Sequence, residues 1–252
     1  MDVGAGRGWR RPALWWRGLV AGSAAVGLAT GVSSLVYFTV QSNVIALGYY
    51  LGAIYWMVVR GGADAPAPRL RGAVVLYLTI TGLVAHFVLE HGADPLPGLV
   101  SGPDRLGNWS NFLLHYVTPV LVVLDWLVLG PRRAARWRDV PLWLCFPIGY
   151  AALVLARGAL FPHFPDRYPY PFLDPNTRGY GGVAGEIVTL TVEFAILGTA
   201  VVGADRAAAR MGDRWRRRRP LLTRRARRPS DPVRRRRLGV RPPRTPGPAR
   251  RD

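Results

Sequence analysis

Asn111-Phe-Leu-Leu-His115-Tyr-Val-Thr118-Pro119-Val-Leu-Val-Val-Leu-Asp125 is apolar enough to cross a membrane, yet it carries four polar side chains. At about 100° per residue, Asn111, His115, Thr118 and Asp125 fall within a stripe roughly 80° wide on one face of a helix. Pro119 has no N–H, so the carbonyl of His115 loses its usual helical partner. Polar groups in an apolar helix are costly unless other groups satisfy them. The stripe therefore predicts a bundle of further helices wrapped around it.

Composition supports that reading. The 252-residue chain is 50% hydrophobic, with a mean hydropathy of +0.11, yet its formal charge is +19. The two are compatible only if charge and apolarity are segregated along the chain. From Asp205 to Asp252 there are nineteen Arg and four Asp, and the preceding 204 residues carry a net charge of only +4. Every basic residue is Arg, which, with the abundance of Ala, Gly and Pro, suggests a GC-rich bacterial genome. The single cysteine, Cys145, excludes an intrachain disulfide.

Working outward, the hydrophobic runs predict an all-α, polytopic membrane bundle of six transmembrane helices: 18–38, 44–59, 72–89, 112–129, 140–160 and 183–202. Residues 1–17 read as a basic N-terminus, 18–204 as the membrane domain and 205–252 as an Arg/Pro-rich disordered tail. The first run is too long for a typical signal-peptide core and is read as a retained helix, with Gly22, Gly27 and Gly31 favouring close packing. Thr39 to Asn43 reads as a polar tip. The 16-residue run after it is short for a crossing and is expected to begin inside that tip. Arginines concentrate in the N-terminus, the second and fourth connections and the tail. The positive-inside rule then puts both termini in the cytoplasm of a cell-membrane protein.

In that orientation Thr39, Asn43, His86, Glu90, Asn111, His115, Arg157 and Glu186 all fall near the outer ends of their helices. A shared polar cluster is the simplest arrangement that satisfies them. Several chemistries remain open at this point. His115 suits a general base, a metal ligand or a packing hydrogen bond. Thr39 reads as a helix cap or, beside a base, as a nucleophile. His86, Glu90, His91 and His115 have metal-ligand character without a recognised metal motif, and a haem is a remoter option; no metal or cofactor is expected. Glu186 and Glu193 are expected to pair with Arg157. Asp125 is expected to snorkel or to meet an Arg of the loop that follows it. Tyr168-Pro-Tyr170-Pro-Phe172-Leu-Asp174 is expected to form an aromatic belt at the membrane interface. The tail is expected to hold anionic lipid headgroups, membrane lipids being the partners, in preference to nucleic acid.

Tyr37-Phe-Thr39-Val-Gln-Ser-Asn43 and Asn111-Phe-Leu-Leu-His115-Tyr-Val-Thr-Pro119 together resemble the androgen-induced family of multi-pass membrane proteins, in what looks like a bacterial branch. The likeness covers roughly residues 18–202. Animal members are integral-membrane hydrolases of fatty acid esters of hydroxy fatty acids. The resemblance implies a threonine nucleophile at Thr39 and a catalytic histidine at His115, with Asn43 or Asn111 as donor to the oxyanion. The Tyr168–Asp174 loop and Gln41-Ser42-Asn43 depart from the family pattern. A non-catalytic membrane protein, or a small transporter using Glu186, Glu193, Asp125 and Arg157, stands as the alternative.

Overall fold

The computed structural model describes residues 5–31, 34–61, 66–101, 104–129 and 135–226. Among them the chain is helical, with no strand. The helices are α1 (Ala5–Thr30), α2 (Phe38–Arg60), α3 (Pro68–Leu83), α4 (Leu96–Ser101), α5 (Arg105–Phe112), α6 (Thr118–Leu129), α7 (Asp139–Leu160) and α8 (Pro175–Ala226). A π-helical turn at Val84–Leu89 continues α3, and a second, at Leu113–Val117, joins α5 to α6 into one rod. Residues up to Arg210 form one unit and the remainder a second; the contacts described below lie within the first.

Five helices are long and apolar enough to cross a membrane: Phe38–Arg60, Pro68–Leu89, Arg105–Leu129, Asp139–Leu160 and Pro175–Arg214. They correspond to the second to sixth sequence-predicted spans. The first, α1, falls short of that standard, because its arginines, glycines and tryptophans lower its hydropathy.

The boundaries of the first span and the polar tip differ from expectation. The chain leaves α1 at Thr30, not near Phe38, and the reversal uses Ser34, whose carbonyl accepts from Tyr37 N (3.2 Å). Thr39 to Asn43 therefore lie in the opening turns of α2 and not in a tip. Their polarity is absorbed locally: Gln41 Nε2 donates to Leu35 O (2.6 Å) and Asn43 Nδ2 to Thr39 O (2.9 Å). The short second run thus gains the length it needs from the polar residues before it.

Packing follows the small residues. α1 lies against α2 and against the α5–α6 rod. At Gly27 any Cβ would come within 2.7 Å of the Leu114 side chain, and the Gly27 carbonyl accepts from Ser110 Oγ (2.6 Å). α3 sits between α2 and α6. The core is Tyr50, Ala53, Val74, Leu76, Leu78, Val122 and Trp126, with Tyr150 and Val154 from α7. α8 starts after Tyr168–Asp174 and kinks at Gly179 (φ 66°, ψ 161°), a conformation that side chains other than hydrogen rarely adopt.

One group of charges is fully enclosed. Asp125, Arg17 and Arg71 have no exposed side-chain surface. Arg71 donates to Asp125 Oδ2 through Nε (3.0 Å) and Nη2 (2.6 Å), and to the Asp125 carbonyl (2.6 Å). Tyr50 donates to Oδ2 (3.1 Å), and Arg17 Nε lies 3.4 Å from Oδ1. This corrects the expectation for Asp125, which is buried and, among the described residues, meets arginines other than those of the loop after it. Its partners come from α1 and the start of α3, because a carboxylate at that depth is tolerable only with charges brought to it.

Candidate active site

The π turn at Leu113–Val117 shapes the site. In this turn amides bond to carbonyls five residues back, as Thr118 N does to Leu113 O. By that count the amide due to Leu114 O belongs to Pro119, which has none. Asn43 Nδ2 supplies the missing donor (3.3 Å) and so ties α2 to the turn. From the other side α3 approaches through Gly82, where a Cβ would lie 2.9 Å from His115 O.

His115 projects from this turn toward the start of α2. Its Nε2 lies 2.9 Å from Thr39 Oγ1, and its Nδ1 lies 2.9 Å from the carbonyl of Asn111. A carbonyl only accepts, so Nδ1 carries the proton and donates. Nε2 is then a lone pair, and the Thr39 hydroxyl donates to it. Hydroxyl, imidazole base and orienting acceptor thus stand in line, the arrangement that activates a hydroxyl nucleophile.

A second hydroxyl lies beside them. The buried Tyr170 phenol stands at the same cleft as the Thr39 hydroxyl, near the backbone of Phe38 and Thr39. Burial pushes the Tyr170 phenol above its ordinary value, and the neighbouring Thr39 pulls it back. Phe38 and Thr39 open α2, and no side chain of the preceding residue caps that end. Early amides of a helix have no intrahelical acceptor, so this end presents N–H groups beside the nucleophile. Tyr150, which donates to Val36 O (2.7 Å), also contacts the Phe38 backbone.

These groups line one cleft with Phe38, Thr81, Ala85, Pro147, Leu190 and Phe194. Its volume is about 60 Å³, within about 630 Å³ of non-atom space that includes its mouth. That is room for a few waters. The walls are otherwise apolar, and the Thr81 hydroxyl, buried among them, lacks a hydrogen-bond partner among the described residues. On the other side of His115 an apolar groove of about 460 Å³ runs along Gly82, Phe87, Tyr116, Pro119 and Val123.

The structure gathers only part of the sequence-predicted cluster. Thr39, Asn43 and His115 meet. Asn111 contributes its carbonyl, while its side chain is exposed. His86 bonds to Tyr116 (3.3 Å) at the groove side, and Glu90 is exposed. Glu186 pairs with Arg178 (3.4 Å), not with Arg157. Arg157 instead donates to the carbonyls of Asp166 and Arg167, because the loop after α7 folds back over its last turns. Glu193 is exposed on α8, whereas Asp125 is enclosed. Thr118 pairs with Ser23 (2.8 Å) as a packing contact.

Tyr170 lines the cleft and was not singled out as a site residue from the sequence. Its loop is no exposed belt: Tyr170, Phe172 and Leu173 are buried, with Tyr170 stacked on Phe172 (5.2 Å) and edge-on to Tyr37 (6.1 Å). The two prolines, which stiffen the segment, were the only available signal. Among the described residues no group of three His, Cys, Asp or Glu could hold a metal. Comparison with protein-family models, with curated proteins and with solved structures yields no match.

Proposed function

We propose that this multi-pass membrane protein is a lipid-ester hydrolase with Thr39 as nucleophile and His115 as base. The observation that carries the reading is the 2.9 Å Thr39–His115 bond, with the imidazole held in the accepting tautomer by Asn111 O. Thr39 Oγ1 attacks the ester carbonyl carbon as its proton passes to His115 Nε2. The carbonyl oxygen gathers negative charge beside the Tyr170 hydroxyl and the first amides of α2. The bond to the alcohol oxygen then breaks, and that oxygen takes the proton from His115. Water, deprotonated by the same nitrogen, releases the acid and restores Thr39. The role first given to Asn43 passes to Tyr170, because both Asn43 amide protons already serve backbone carbonyls.

The apolar cleft and the outer groove flank His115 on two sides, which suits an ester with a hydrocarbon arm on either side of its carbonyl. The resemblance to the androgen-induced family supports the same assignment. In this reading α1 is the sixth crossing, since Arg17 faces Asp125 and not lipid. Both termini are then cytoplasmic and the site lies toward the outer leaflet.

The test is labelling of the detergent-purified protein by a fluorophosphonate probe. Wild type should label, and Thr39→Ala and His115→Ala should not. An unlabelled but correctly folded wild type would overturn the hydrolase assignment.

A further inference from the structure

At the other end of the bundle, where α7 begins, Arg136, Trp137, Arg138, Arg206 and Arg210 surround a pocket of about 690 Å³ with Ala135 at its base. Four guanidinium groups, three of them exposed, border one hollow, and an anion among them lowers their mutual repulsion. The carboxylates in the same walls are turned elsewhere. Asp205 accepts from Ala135 N (3.3 Å), and Asp139 accepts from Arg136 N (2.9 Å) and pairs with Arg69 (3.3 Å). Both are buried. Arg206 lies over the Trp137 ring, 4.9 Å from its centre, which fixes its plane, and its Nε is buried without a hydrogen-bond partner among the described residues. A pre-oriented guanidinium with an unused donor is suited to a tetrahedral oxyanion, which it can grip with two parallel bonds.

We infer that this pocket binds a phosphate group. The pocket lies just past Val202, where the apolar part of α8 gives way to charge, and it carries an indole, which prefers headgroup depth. That position favours the phosphate of an anionic phospholipid over phosphate in solution. The site rests on the membrane reading and not on the hydrolase reading. Its residues all belong to the first unit.

The full-length protein in neutral detergent, titrated with phosphatidylglycerol and followed by native mass spectrometry, tests it. Wild type should retain one lipid more tightly than the rest. Arg206→Gln/Arg210→Gln should weaken that first binding by about tenfold or more, the loss expected when two charge-assisted bonds go. The equally charge-reduced tail variant Arg234→Gln/Arg235→Gln should keep it. Arg136→Gln/Arg138→Gln reaches the same pocket from its other wall and serves if the first variant is not monodisperse. Displacement of the lipid by millimolar inorganic phosphate would keep the pocket and change its source to soluble phosphate; no displacement assigns it to lipid. Equal loss in pocket and tail variants, or no distinct first lipid in wild type, would overturn the site.

Discussion

Two polar centres interrupt the apolar interior, and they are built on opposite principles. Arg17, Arg71 and Asp125 are charged, fully enclosed and bound to one another from three helices. Thr39, His115 and Tyr170 are neutral groups that border an open cleft, with Thr39 hydrogen-bonded to His115. The first has no room for a ligand and holds the bundle in register. The second has donors, an acceptor and space, and its removal leaves no charge stranded. Enclosed charge does structural work here, and accessible neutral polarity is where chemistry can happen.

Substitutions should separate the two centres. Asp125→Ala leaves two arginines buried without their carboxylate, a loss of about 3–5 kcal/mol. It should lower the thermal midpoint sharply or prevent recovery of monodisperse protein, whatever the fate of the probe-reactive site. Thr39→Ala and His115→Ala should do the reverse, abolishing labelling while the melting curve stays near wild type. If His115→Ala proves as damaging to folding as Asp125→Ala, the contrast is wrong and the outer centre is structural too.

Tyr170→Phe sharpens the outer centre. Loss of one oxyanion donor lowers rates by roughly a hundredfold or more. Labelling by a fluorophosphonate, followed in time, should slow by that order without a matching drop in stability. An unchanged rate would leave Tyr170 as a packing residue. Asn43→Ala tests the tie between α2 and the π turn. The Leu114 carbonyl would lose its side-chain donor, at about 1–3 kcal/mol. A moderate fall in thermal midpoint should accompany slower labelling, since Thr39 and His115 sit on the two elements it joins. Arg157→Gln should have the smallest effect, a few-fold slowing through a looser Tyr170 loop, readable as increased proteolysis near Asp166.

The five helices long and apolar enough to cross a membrane were legible because hydropathy marks such runs directly, as the uninterrupted stretch from Val120 to Leu124 illustrates. The pairing of Thr39 with His115 entered through family resemblance and not through spacing, since 76 residues separate them. The remainder was hidden for physical reasons. Helical-wheel arithmetic assumes 3.6 residues per turn, so it grouped Asn111 with His115 and Asp125 and could not register the π turn between them. Arg17 read as part of the basic N-terminus and Arg71 as part of the second connection, because sequence shows charge and not the carboxylate that draws it inward. Tyr170 read as interfacial because a Pro-flanked tyrosine is as compatible with a lipid headgroup as with a threonine hydroxyl.

The π turn at Leu113–Val117 has one more consequence. It amounts to one residue more than an α-helix would use there, inserted between the two polar centres. Taking one residue out would let the rod close as a continuous α-helix and rotate its two halves by about 100° against each other. Asp125 could then keep its arginines, or His115 its threonine, but not both. The extra residue acts as a phase shift that lets one helix serve two partners pointing in different directions.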